Sequence, residues 1–261
     1  MISFIKKYEV WIFLILAPLT NVVFVALRAN GLMSSFVYNH GRFGLLMLVL
    51  LVVIKITRGN QGIVDIFKPM LKWRINPIWY LFSFLFAFTI GSITLVLKNV
   101  YKGVDFSSIF AFDITTQSLG FTIIILIWAF MGEVVWVSYC IRQLSKTMSV
   151  FYASQIVGIV WTLWWMPIVS HGETVIPDFP FWSLLVGMMG TAGMCAFVYR
   201  HTRSGLCVWL LQFMLNMSLL MIAISPRTGG LSTYAAFVII YYLVMLGLMH
   251  FVKPKDIKTL A

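Results

Sequence analysis

A chain of 261 residues that is 61% hydrophobic and 10% charged, with a mean hydropathy of +0.95, carries too much apolar side chain for a water-soluble domain. Its formal charge of +11, from 19 Lys and Arg against 8 Asp and Glu, would suggest nucleic acid or an anionic surface in a soluble protein. Here the cations flank apolar runs, so they orient helices in a lipid bilayer and indicate no nucleic-acid partner. At about 20 apolar residues per span, the length accommodates roughly eight helices and no appended soluble domain. The expectation is an all-α, polytopic membrane protein, with residues 1–261 forming one membrane-embedded domain.

In chain order the apolar runs are Val10 to Leu27, Val37 to Ile56, Pro77 to Leu97, Gly120 to Ile141, Val150 to Val169, Pro180 to Tyr199, Ser204 to Ser225 and Leu231 to Phe251. The second is the weakest, because Asn39, His40 and Arg42 interrupt it. Lys6 and Lys7 before the first run resemble the start of a signal peptide, but the run is long for one and further spans follow, so it reads as an uncleaved first helix. Eight spans place both termini on one side. Fourteen Lys and Arg fall on that side, against Arg28, Arg42, Lys98, Lys102 and Arg227 on the other. The positive-inside rule therefore predicts cytoplasmic termini and a multi-pass protein of the cell (plasma or inner) membrane. Cys140, Cys195 and Cys207 lie in apolar stretches without Cys-x-x-Cys spacing and read as small core residues.

Ionisable groups at membrane depth are expensive and therefore the first places to look for function. Glu9, Asp65, Asp105, Asp113, Glu173, Asp178 and Asp256 fall outside or at the margins of the runs, leaving Glu133 inside the fourth. Counting eight residues to Ile141 sets it about 12 Å from the cytoplasmic end, near mid-membrane on that side. Two readings are open: a buried glutamic acid hydrogen-bonded to a neighbouring helix, or a carboxylate facing a water-filled cavity as base, proton carrier or ligand anchor. His40, His171, His201 and His250 lie in loops or near span ends, so no imidazole is expected beside it. Two deep Asp residues, a His-Glu-x-x-His helix, a deep base for Ser138 or Ser218, and a glycine-rich phosphate loop are all missing, which excludes the corresponding intramembrane chemistries. No metal or other cofactor is indicated.

The stretch Met131 to Leu144, MGEVVWVSYCIRQL, resembles the first motif of the CPBP family, the CAAX protease and bacteriocin-processing intramembrane proteins, Glu-Glu-x-x-x-Arg followed by Gly, Tyr and Leu. Registered on Trp136, Tyr139 and Leu144, Glu133 takes the second glutamate position. Gly132 then stands at the first, Val137 at the Arg and Ser138 at the Gly. Trp161 to Pro167 is similar to the second motif, with Trp165 at the His position. Ser204-Gly205 and then Gln212 to Asn216 are similar to the third, Ser-Gly and His-x-x-x-Asn, with Gln212 at the His and Asn216 kept. The basic segment Phe67 to Pro77 looks like the family's cytoplasmic loop.

The resemblance implies an eight-helix intramembrane endopeptidase whose first Glu, Arg and both His are replaced. Water activation needs a base and an orienting partner, and a metal needs three or four N, O or S ligands. Glu133, Gln212 and Asn216 supply one carboxylate and two amides, while the indole of Trp165 only donates. A hydrogen-bond network through those three, with Trp165 filling the space, is one expectation. Packing of Trp161, Trp164 and Trp165 in an interfacial belt, and of Gln212 and Asn216 as interhelical glue, is the plainer one. Glycines 187, 190 and 193 suggest close helix packing. The leading function is a catalytically degenerate scaffold, regulator or immunity-type protein that binds a membrane protein or membrane-associated peptide. The alternatives are an active endopeptidase relying on Glu133 and a proton-coupled transporter.

Overall fold

Serines set the starting points of four helices. In the computed structural model, which describes residues 2–103, 118–172 and 179–252 with side chains from residue 5, the hydroxyls of Ser34, Ser118, Ser149 and Ser204 accept the backbone N–H of Val37, Phe121, Tyr152 and Cys207. Each satisfies a donor that the first helical turn would otherwise leave orphaned. Asp105, Asp113, Glu173, Asp178, Asp256 and the tail lysines Lys253, Lys255 and Lys258 lie outside the described residues.

Among the described residues eight helices are long and apolar enough to cross a membrane: Glu9–Ala29, Ser35–Leu71, Ile78–Lys102, Leu119–Leu144, Val150–Ser170, Phe181–Thr202, Gly205–Gly229 and Leu231–Phe251. The protein is an all-α, multi-pass membrane protein, with no strand among the described residues. Ile15, Leu19 and Val23 along the first span are more than half exposed, an outward apolar stripe that suits lipid and not water.

Seven spans begin and end within a few residues of the apolar runs, and the second differs. It runs on from Ile56 to Leu71, although Lys55, Arg58, Asp65 and Lys68 make that stretch polar. Gly59, at φ 66° and ψ −158°, breaks it, a conformation that glycine adopts without steric cost. Beyond the break the helix resumes, tightens to a 3₁₀ turn at Lys68–Leu71, and closes over the end of the bundle. There the Ser204 hydroxyl donates to the Lys72 carbonyl at 2.5 Å, tying this segment to the start of the seventh span.

The fifth span packs on the sixth, the sixth on the eighth, the third on the seventh, and the first on the second and fifth. The second half of the fourth span runs through the middle of this arrangement, against the second, fifth, sixth and seventh. Apolar burial drives little helix association in lipid, so close fit does the holding. Trp136 stacks on Trp161 with ring centres 5.6 Å apart, and Phe13 meets Tyr139 edge-on at 5.5 Å. Trp164 is fully buried and Trp161 nearly so, so both serve core packing. Glycines 187, 190 and 193 all face the eighth span, through Tyr234, Tyr241 and Met245 respectively. The three cysteines are buried and free.

Candidate functional site

The sequence between Glu133 and Ile141 has the hydrophobicity of an α-helix buried on all sides, but its hydrogen bonding is i→i+5, a π-helix of nine residues. At its end the Arg142 N–H reaches the Val137 carbonyl, five residues back. Five residues along an α-helix are rotated by about 140°; here they come onto one face. The Ser138 hydroxyl therefore donates to Glu133 Oε1 at 2.7 Å. Val137, four residues on, is buried apart from that contact. Wide π turns are rare and recur at functional sites.

Glu133 is completely buried. Beyond Ser138, its carboxylate abuts Gly205, the first residue of the seventh span, and lies near Cys195, while Met70 covers Gly205 from the folded-back segment. Its Oε2 has no hydrogen-bond partner. The carboxylate thus sits at the level where the seventh helix begins, under the cap formed by the second span. The small residue at 205 is required: a Cβ there would lie 2.9 Å from Glu133 Oε1 and 2.7 Å from Met70 Sδ. Gly205→Ala is expected to cost about 1–2 kcal/mol by overpacking, read as a fall of several degrees in the thermal midpoint of the detergent-solubilised protein. An unchanged midpoint would show that the carboxylate is not held against this glycine.

Gly132, one residue earlier, faces the other way. A Cβ added there would meet Gln212 Oε1 at 2.9 Å, so the amide of Gln212 fills the space that a larger residue at 132 would occupy. Asn216 donates its Nδ2 to the Gln212 backbone carbonyl within its own helix, at 3.0 Å. Among the described residues Glu133 Oε2 and Gln212 Nε2 have no hydrogen-bond partner, so no direct hydrogen bond joins Glu133 to the Gln212–Asn216 pair, although Glu133 and Gln212 both lie beside Cys195. The expected filling of the space by Trp165 is not observed either. The fifth span starts at Val150, which carries Trp165 outward to Phe43 and Arg42, while Trp161 packs beside Gly132 and Trp136.

Gly132, Trp165, Gln212 and Asn216 do share a surface. Together with Trp161 and residues of the sixth and eighth spans they line a cavity of about 150 Å³ in the half of the bundle remote from Glu9. Leu215, Leu219, Phe237 and Val238 make it strongly apolar. Among the described residues no carboxylate, imidazole or thiol lines it, and neither Glu133 nor Val137 does. Among the described residues no three of His, Cys, Asp and Glu gather as metal ligands would.

Two buried charges escaped the reading of the sequence. Glu9 opens the first span and is only 4% exposed. Arg58 meets it with Nη2 at 2.7 Å from Oε1 and Nε at 3.0 Å from Oε2, and the Tyr139 hydroxyl donates to Oε1 at 2.8 Å. This network joins the first, second and fourth spans. Nearby, burial and the Arg58 and Arg142 cations hold the Lys146 ammonium below the ordinary lysine range. The second is Arg42, counted from sequence among the loop cations of the outer face, yet 2% exposed within the second span. Partners far apart in the chain leave no local spacing to read; the one signal was that Arg42 interrupts an otherwise apolar run.

The site therefore consists of a capped carboxylate on the side of the termini and a separate apolar cavity behind Gly132 and Gln212, in a chain that no family model and no curated protein matches.

Proposed function

We propose that the protein is a catalytically degenerate CPBP-type scaffold that holds a membrane protein or membrane-associated peptide as a regulator or immunity-type protein. In this reading the termini are cytoplasmic and the protein resides in the cell membrane, in keeping with the Lys and Arg asymmetry. The observation that carries the reading is the separation of base from cavity. The carboxylate of Glu133 accepts from Ser138 and is sealed by Gly205 and Met70, while among the described residues none of the groups that activate water lines the cavity. The aromatic and small residues of the motifs keep their packing roles, as Trp136, Tyr139 and Gly205 do.

The test is a quantitative pull-down from native membranes, with wild type and Glu133→Gln at matched expression. A near-stoichiometric partner held equally by both is the expected result. A partner retained only by Glu133→Gln, with a shortened form of it in wild-type membranes, would replace the scaffold reading with a peptidase that relies on Glu133.

A further inference from the structure

Arg42 lies seven residues into the second span, about 10 Å along the helix from Ser35. It is 2% exposed, and its Nε, Nη1 and Nη2 have no hydrogen-bond partner among the described residues. Its guanidinium is instead walled by rings: Trp165 at 4.8 Å, Phe43 at 5.1 Å, Trp164 at 5.5 Å, Tyr38 at 5.6 Å and Trp128 at 5.9 Å. Aromatic faces attract the positive charge, but they leave the guanidinium's five N–H donors unused. A buried cation without an acceptor is rare at membrane depth and points to a missing anion.

Three rings of this cage, Phe43, Trp128 and Trp165, also line the apolar cavity. Arg42 does not itself line the cavity: the three rings form a shared wall, with a fork of donors suited to a carboxylate or phosphate on one side and an apolar space of about 150 Å³ on the other, and a head group reaches the guanidinium by displacing one of them. A dry cavity of about that volume takes a benzene-sized apolar group, which is a length of one hydrocarbon chain and far less than a peptide helix.

We propose that Arg42 and the adjoining cavity form a binding site for an anionic single-chain amphiphile, its carboxylate or phosphate head on the guanidinium and its hydrocarbon tail between Trp165 and Leu215. The site goes beyond the scaffold reading and does not depend on it: Glu133 takes no part, and the site is the same whether or not a protein partner is held. A free fatty acid and a lysophosphatidate supply the same chemistry.

The experiment is quenching of tryptophan fluorescence in the detergent-solubilised full chain by bromine-labelled stearate, with bromine-labelled stearyl alcohol as the uncharged chain. Stearate is expected to quench saturably and at least tenfold more tightly than the alcohol. Arg42→Gln should weaken stearate at least tenfold and leave the alcohol unchanged. Leu215→Trp, which fills the cavity and leaves Arg42 in place, should also weaken stearate at least tenfold, and it tests the site should Arg42→Gln fail to fold. Unlabelled oleoyl lysophosphatidate competing more tightly than unlabelled stearate would assign the head as a phosphate, and the reverse order as a carboxylate; both support the site. Equal binding of stearate and alcohol by wild type would overturn the proposal. So would competition by inorganic phosphate or acetate at the concentrations at which stearate acts, or stearate binding that survives Leu215→Trp.

Discussion

Gly158→Leu is expected to yield almost no monodisperse protein in detergent, and Gly158→Ala to lower the thermal midpoint by well over the few degrees expected of an average core substitution. The fifth and sixth spans pack so closely here that a Cβ on residue 158 would lie 2.7 Å from Met189 Cα and 3.1 Å from both Met188 O and Met189 N. These are backbone atoms of the opposing helix, so no rotamer change relieves the contact. The helices must separate, and in lipid that forfeits the close fit on which their association rests. Overpacking of a tight core costs about 1–3 kcal/mol where side chains can adjust; against backbone the effect belongs at or above the top of that range. Gly187→Ala is the internal control. Its Cβ would meet the Tyr234 hydroxyl and Val238 Cγ1 at 3.2 Å, side-chain ends that can yield. Equal midpoints for the two alanine variants would remove the backbone argument.

The second large effect concerns Glu9. Arg58→Met removes its counter-ion and leaves a carboxylate that is 4% exposed with one remaining donor, Tyr139. Removing one partner of a buried ion pair costs about 3–5 kcal/mol. The Arg58 side chain is 30% exposed, so water screens part of the interaction and the lower end of that range applies. The double variant Glu9→Gln, Arg58→Met removes the stranded charge and should recover much of the stability, giving a coupling energy above about 1 kcal/mol. Thermal or denaturant unfolding of the four proteins measures it. Additive losses would mean that Glu9 and Arg58 act independently, and that what joins the first span to the second lies elsewhere.

The spans were legible because their signal is local and long: about twenty apolar residues bounded by Ser, Pro, Gly and cations. The second span misled at its end because a glycine break lets a polar helix continue from an apolar one, and composition sees only the change in polarity. Gly132 and Gln212 stood in the sequence only as replaced positions of two separate motifs, and the structure places them side by side. The turn from Glu133 to Ile141 was not legible for a definite reason. All nine of its residues are buried, so no alternation of polar and apolar faces records how many residues make a turn. An α count along the same residues puts Ser138 about 140° away from Glu133, so their contact could not be anticipated. The charges at Glu9 and Arg42 were hidden differently: burial of each depends on residues dozens of positions away, Arg58 in one case and Trp128, Trp164 and Trp165 in the other.

The π turn also bears on how this chain tolerates insertion and deletion. A helix wound with i→i+5 bonds contains slack that a regular one lacks. Losing a single residue between Val134 and Cys140 is therefore absorbed where it occurs: the backbone relaxes into ordinary winding, each remaining residue turns further, and the helix beyond keeps close to its present direction. Arg142, whose Nη2 donates to the Asp65 carbonyl, stays near it. What goes is the five-residue contact between Ser138 and Glu133, which only the wide turn brings together. The same deletion inside a regular span such as Val150–Ser170 has no slack to draw on and turns everything beyond it by about 100°.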